Sequence, residues 1–232
     1  MRLVLFDIDG TLITDGGAAR HAYRAALERI YGYDGDLTRY DFSGRTDPQI
    51  TSMVLRDFGL DDDTIQRRIA DLWEVYLAGL AENAGADRVR ELPGIRPLLD
   101  ALRHRDDVLL GLLTGNIERG ARIKLAPPAL NDYFAFGAFG SDSANREELP
   151  PIAVERAARH NGGHRFDHRF VGRDVVIIGD SIYDIRCGVP HGATTIAVAS
   201  GKTPGDKLRA ENPHHFFESA EDRDGILKAI FP

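Results

Sequence analysis

From Pro93 to the C-terminus, short apolar runs alternate with segments of helical spacing. VLLGLLT (108–114), FAFGAF (134–139), DVVIIGD (174–180), TTIAVAS (194–200) and HHFF (214–217) are separated by helical stretches at 116–126, 148–161, 181–190 and 204–211, with further helices at 94–105 and 219–230. Runs this short and continuously apolar read as strands covered on both faces. Strands of that kind alternating with helices leave little choice but an α/β fold, a parallel sheet with helices packed on both sides. One more such strand, LVLFDID (3–9), stands far upstream. Between it and the rest lie only helices and loops. Gly17–Ile30 carries Ala22, Ala26 and Ile30 at four-residue spacing. A Gly- and Asp-rich loop follows, then a helix starting near Pro48 with Thr46 or Asp47 as its cap. Asp63–Glu82 follows, with Ile65, Ile69, Leu72, Tyr76 and Leu80 on one stripe, widened by Trp73 and Leu77. The expected organisation is a core of residues 1–14 and 89–232, with 15–88 inserted as a small helical domain just after the first strand.

Composition narrows the function classes. Hydrophobic residues are 43% and charged residues 28% of the chain, which suits a globular protein with a sizeable core. The net charge of −7 gives no footprint for nucleic acid or an anionic membrane. No apolar run approaches the ~18 residues of a membrane span. The single cysteine, Cys187, rules out an internal disulfide, and a reduced cytoplasm is the expected location.

In an open parallel sheet, ligands bind beyond the carboxyl ends of the strands, where the connection order reverses. Those ends are acidic in this chain. The first strand runs into Asp7 and Asp9, another ends on Thr114, and a third leads to Asp180 and Asp184. Alternate residues of a strand share a side, so Asp7 and Asp9 are expected to face the same way. Carboxylates gathered there repel unless a cation sits among them. An all-oxygen donor set without His or Cys points to magnesium, which keeps some positions for water or phosphate oxygens. Thr114, with the backbone N–H groups of Gly115 and Asn116 at a helix start, is suited to hold a phosphate.

With FDIDGTL at 6–12, LLTGN at 112–116 and GDSIYD at 179–184, the chain resembles the haloacid-dehalogenase superfamily, with an inserted helical cap and closest to its phosphoglycolate-phosphatase-like branch. ELPGIRPLLDAL (91–102) and GVPHGATTIAVASG (188–201) read like that branch too. The resemblance implies a Rossmann-like sheet and a Mg2+-dependent phosphatase acting on a small phosphorylated metabolite, with 2-phosphoglycolate the leading substrate and a monomer or homodimer expected. It implies that Asp7 is the nucleophile that forms an aspartyl phosphate. Asp9 becomes the general acid and base, holding a proton in the first step. Asp180 becomes a metal ligand with Asp7 and the Asp9 backbone carbonyl, and Ser181 and Asp184 support them. A hexose-phosphate mutase and a catalytically silent binding module are the alternatives. A metal-free dehalogenase would not carry the second acid, Asp9.

One position departs from the family pattern. A Lys usually lies between the Thr and GD motifs; here the stretch is SDSANREELPP, and Arg146 holds roughly that place. A guanidinium can pair with a carboxylate and a phosphate together. Lys124 is the rival, expected on a solvated helix face. Arg45, in SGRTD, is either a surface residue or a contact to the substrate's far end. SGKTPG (200–205) lacks the leading Gly of a phosphate loop. His160, His164, His168, His214 and His215 show no ligand spacing, so no zinc site is expected.

Overall fold

The computed structural model describes residues 1–161 and 170–232. His164 and His168 lie outside them. The core is a six-stranded parallel sheet. Strand β1 (Arg2–Phe6) is central, flanked by β4 (Val108–Thr114) and then β5 (Gly137–Phe139) on one side, and by β6 (Val175–Gly179), β7 (Thr194–Val198) and β8 (His215–Phe217) on the other. Phe6 pairs with Leu112 on β4 and with Ile178 on β6. The chain therefore builds outward from β1 in one direction, returns, and builds outward in the other. The carboxyl ends of β1, β4 and β6 meet where the direction reverses.

Two apolar layers clamp the sheet, as a fully covered parallel sheet requires. Val4, Phe6, Leu112 and Ile178 face one layer, which includes helices α4 (Ile95–Arg103) and α9 (Arg223–Ile230). Leu3, Leu5, Leu113 and Ile177 face the other, against α6 (Leu149–Asn161). Helices α5 (Glu118–Leu125), α7 (Ile182–Gly188) and α8 (Gly205–Ala210) complete the crossovers. Among the described residues, no helix is long and apolar enough to cross a membrane. Cys187 is buried in α7, where burial pushes its thiol up to about 12 and leaves it inert.

The inserted helices are α1 (Ala18–Tyr31), α2 (Asp47–Asp57) and α3 (Asp62–Asn83). The stripe on α3 packs along α1, with Tyr23 and Tyr76 edge to face at 5.8 Å between ring centres. Both caps are local: Thr46 accepts from the Gln49 N–H and Asp61 from the Thr64 N–H.

The structure departs from the sequence expectation in several places. The first strand stops at Phe6 rather than Asp9. The Asp7 N–H still bonds the Ile178 carbonyl, but the Ile8 carbonyl then accepts from Leu12 and Ile13, closing a turn that needs a positive φ at Gly10. Only the last three residues of FAFGAF pair as a strand. The helix expected from 219 starts at Arg223, capped by Asp222, and the one expected at 181–190 ends at Gly188 in a short 3-10 turn. The two connections to the inserted helices pair with each other. Ile13–Thr14 (β2) and Arg90–Glu91 (β3) form a small antiparallel ribbon.

Candidate active site

Every acid expected at the strand ends reaches one region. Asp7 is 5% exposed and follows β1 directly. Asp180 follows β6, and its carboxylate accepts from the Thr11 hydroxyl at 3.1 Å. It is so closely enclosed that a Cβ at Gly10 or Gly201 would collide with it. Asp184 has two tasks. With Ser181 it forms the capping box that starts α7, accepting from the Ser181 N–H at 3.0 Å and from the Ser181 hydroxyl at 2.6 Å. Its other oxygen accepts from Arg146.

Two buried cations divide the acids between them. Arg146, 4% exposed, donates Nη2 to Asp7 Oδ1 at 2.9 Å, to Asp184 and to the Leu113 carbonyl at 3.2 Å. Lys124, 3% exposed, donates Nζ to Asp9 Oδ2 and Asn116 Oδ1 at 2.7 and 2.6 Å. The solvated helix face expected for Lys124 is thus a correction. Residue 124 lies on α5, whose N-terminus abuts the site because it follows Thr114, and α3 covers the face of α5 that carries Gly120 and Lys124. Asn116 donates its side-chain amide to both Asp9 Oδ2 and Thr114 Oγ1. Asp7 and Asp9, expected to face one another's side as a repelling pair, each have a cation of their own.

The inserted helices are docked on this floor. Arg146 Nη1 bonds the Gly44 carbonyl at 3.1 Å, Thr46 bonds the Ala144 carbonyl at 2.7 Å, and the Asp47 N–H bonds the Gly115 carbonyl at 2.7 Å. A Cβ at Gly115 would strike the Arg45 carbonyl, so the close approach needs glycine there. Asp47 Oδ2 accepts from the Ile117 N–H at 2.8 Å, serving the start of α5. Arg45 lines the cleft, but its Nε bonds the Asp41 carbonyl and its guanidinium lies over the Tyr183 ring. Between the two layers is a cavity of ≈ 550 Å³, reaching from Asp7, Asp9 and Thr114 up to Tyr23, Asp47 and Tyr76.

Sequence reasoning missed Thr11, Asp47, Gly201 and Ser200, whose hydroxyl bonds the Gly10 carbonyl at 2.7 Å. Thr11 stood inside the DGT motif and could have been found; the others are brought in by packing. His160 and His214 are engaged elsewhere, beside Phe136 and with Thr195. Among the described residues, one group of acids has the geometry to hold a metal ion: Asp7, Asp180 and Asp184, with one oxygen from each within 4.8 Å of the others.

The electrostatics of that group fit a divalent cation. Burial, with Asp184 next and Arg146 opposing, raises the Asp7 carboxyl to about 7. Burial, followed by Asp7 and Asp184, holds Asp180 well above the usual carboxylate range. Both Asp184 oxygens are already used by Arg146 and Ser181, Asp7 shares Arg146 with Asp184, and Asp180 has no cationic partner among the described residues. The set is all oxygen, suited to a hard ion.

A stability prediction follows. In the unfolded chain these acids release protons near 3.8, whereas the metal-free folded protein holds the Asp7 proton to about 7. Between those values the folded state binds more protons, so stability falls as pH rises through that window. Thermal melting in chelator is expected to drop by at least a few degrees from about pH 5 to pH 8. Added Mg2+ should raise the melting point more at pH 8 than at pH 5. A flat melting profile with no Mg2+ effect would show that these carboxylates carry no unmet charge.

The parallel α/β sheet thus carries, at its switch point and beneath a docked helical insertion, a cluster of carboxylates with the geometry to hold a metal ion, an arrangement that marks an enzyme site. A family model described as haloacid dehalogenase-like hydrolase matches residues 1–192, and the chain belongs to that family. It is 26% identical over 219 residues to a 5′-nucleotidase of Pseudomonas aeruginosa, covering 92% of this chain and 89% of that protein. It is 27% identical over 202 residues to the tyrosine-protein kinase PtkA of Mycobacterium tuberculosis, covering 86% of this chain but only 62% of that longer protein. A hydrolase from Pseudomonas syringae has the same fold, with a TM-score of 0.73 at 19% identity over 98% of both chains.

Proposed function

We propose that the protein is a Mg2+-dependent phosphatase that hydrolyses a small phosphomonoester through an aspartyl phosphate on Asp7. The observation that carries this reading is the pairing of Asp7 with Arg146 at 2.9 Å beside the Asp180 carboxylate. A carboxylate approaches a phosphate dianion only where positive charge offsets their repulsion. Arg146 supplies part of that charge. Asp7 and Asp180, with the Asp9 backbone carbonyl, would hold Mg2+, which would supply the rest of that charge beside the phosphate. The similarity to a protein named a 5′-nucleotidase supports phosphomonoester hydrolysis.

Residues of this chain then carry the steps. Asp7 attacks phosphorus and the ester oxygen leaves with the pair of electrons from the broken P–O bond. Thr114 and the backbone N–H of Gly115 hold the transferring oxygens. Lys124 and Asn116 hold Oδ2 of Asp9, and Oδ1 has no partner among the described residues. Oδ1 is the atom available to deliver a proton to the leaving oxygen and later to take one from the attacking water. The docked helices, residues 15–88, exclude bulk water while the acyl phosphate forms. The cap opens and closes on the connections near 12–16 and 83–93.

The test is release of inorganic phosphate from a panel of phosphorylated metabolites. Turnover is expected with Mg2+, to vanish in excess chelator, and to return only weakly with Ca2+, whose larger shell fits an octahedral transfer site poorly. Full activity in chelator would sink the metal-dependent reading. Return of an isomerised sugar phosphate in place of free phosphate would identify a mutase.

A further inference from the structure

The cavity extends well beyond the phosphate end. On the side facing Asp9, the inserted helices contribute Asp47 from α2 and Tyr76 from α3. Both lie within electrostatic reach of Asp9 and Lys124. Because Asp9 meets the leaving oxygen, groups facing Asp9 from above face the leaving group.

Their polar atoms are in unusual positions. Tyr76 is 2% exposed, and its hydroxyl forms no hydrogen bond among the described residues. Asp47 uses Oδ2 on the Ile117 N–H, and Oδ1 has no partner among the described residues. Neither side chain is loose. Tyr76 packs edge to face against Tyr23 and lies beside Gly120 of α5. The backbone at Asp47 is held through its N–H on Gly115 and through a chain from the Tyr23 hydroxyl to Thr51 to the Asp47 carbonyl, each link 2.8 Å. Tyr76 is buried and Asp47 half-buried, and a rigidly held hydroxyl and carboxylate oxygen that line a cavity without protein partners offer a donor and an acceptor to a ligand.

The charges nearby specify that ligand. Asp15 saturates both its oxygens on the Gly17 and Ala19 N–H groups, and Arg20 spends its guanidinium on the Leu37 and Tyr40 carbonyls and on the Phe42 ring. Lys124 is committed to Asp9. Lys202 lines the cavity on the side of Asp15, but the charges that bear on Asp47 are Lys124, already committed to Asp9, and Asp9 itself, so a carboxylate placed between Asp47 and Tyr76 would face the Asp47 charge. A substrate hydroxyl would meet an acceptor in Asp47 Oδ1 and a donor in the Tyr76 hydroxyl. Resting on the phosphatase reading above, we propose that Asp47 and Tyr76 form a subsite for the hydroxyl groups of an uncharged, polyhydroxylated leaving group, so that the enzyme favours sugar, polyol or nucleoside phosphates over carboxylated esters such as phosphoglycolate. A cavity of ≈ 550 Å³ suits a molecule of that size, and a two-carbon acid would leave most of it to water.

The test compares kcat/KM for glycerol phosphate, a pentose phosphate, a nucleoside monophosphate, phosphoglycolate and phenyl phosphate. The first three separate a free polyol from a nucleoside; phenyl phosphate offers no hydroxyl. The wild type should favour a hydroxylated ester over phosphoglycolate. Tyr76→Phe removes a hydroxyl that holds nothing in the fold. It should lower the ratio of hydroxylated ester to phenyl phosphate by about tenfold. Asp47→Asn keeps an oxygen for the Ile117 N–H and removes the charge. It should raise the ratio of phosphoglycolate to hydroxylated ester by at least about tenfold. Affinities of the same esters for Asp7→Asn protein with Mg2+, measured by calorimetry, decide the subsite independently of turnover. Ratios unmoved by both substitutions, in turnover or in binding, would overturn the subsite. Absence of phosphate release from every ester, with the binding preferences intact, would overturn the phosphatase reading and leave the subsite standing.

Discussion

Asp7→Asn is expected to lose about ten-thousandfold or more in turnover while keeping its fold. An amide cannot attack phosphorus, so the covalent step has no nucleophile. The fold should tolerate the change because Arg146 keeps Asp184 as a partner and the swap removes a negative charge that burial disfavours. In chelator at pH 8, where the wild type has the greatest unmet charge, the variant should melt no lower than the wild type. Beryllium fluoride, which mimics an acyl phosphate on a carboxylate, should bind the wild type with Mg2+ and not the variant. Phosphate release at a near-native rate would remove Asp7 from the role of nucleophile.

Replacing Arg146 by Ala should cost about 100-fold or more in kcat, since one positioned donor to the reacting group is typically worth ~2.7–4 kcal/mol. It should also destabilise the protein by roughly 3–5 kcal/mol, because Asp7 and Asp184 would be left buried without their cation. Arg146→Lys separates the two effects. It restores charge, but one ammonium cannot reach Asp7, Asp184, the Leu113 carbonyl and the Gly44 carbonyl together, so an intermediate rate is expected. Lys124→Met is the informative partner. Its loss acts through Asp9, so it should slow esters of poor leaving groups, such as alkyl phosphates, much more than nitrophenyl phosphate. Arg146→Ala should slow both classes alike. The same dependence on leaving group in both variants would mean that the cations do not divide the acids as their hydrogen bonds indicate.

The ends of the strands were legible in the sequence because the information is local. An apolar run stopping at Asp7, another at Thr114 and a third at Asp180 already puts those side chains at one edge of a parallel sheet. Arg146 was within reach for the same reason, lying on the connection between β5 and α6. Lys124 was misjudged because its burial comes from elsewhere. The helix that carries it is covered by α3, more than forty residues upstream, and no periodicity within ARIKL reports that contact. Asp47 was read only as a helix cap, which it is close to being, since Thr46 holds that position. Its approach to Ile117 depends on Gly115 admitting the neighbouring backbone, a feature that appears only when both segments are in place. The ribbon between residues 13–14 and 90–91 is two residues per strand, too short for any alternation to register.

That ribbon determines how the molecule is divided. The chain leaves the sheet and returns to it through two antiparallel strands in direct contact, so the whole helical insertion departs and re-enters at a single point. Adjacent ladder partners lie only about 5 Å apart. Joining Thr14 to Arg90 through a tight two-residue turn would therefore span the gap without disturbing β1 or the strands beside it. Every strand of the parallel sheet lies outside the stretch so removed, and the closure entropy of the long excursion disappears with it. The insertion thus hangs from the sheet by a two-stranded stalk while sharing one continuous apolar core with it, so a replacement would have to cover the same apolar surface.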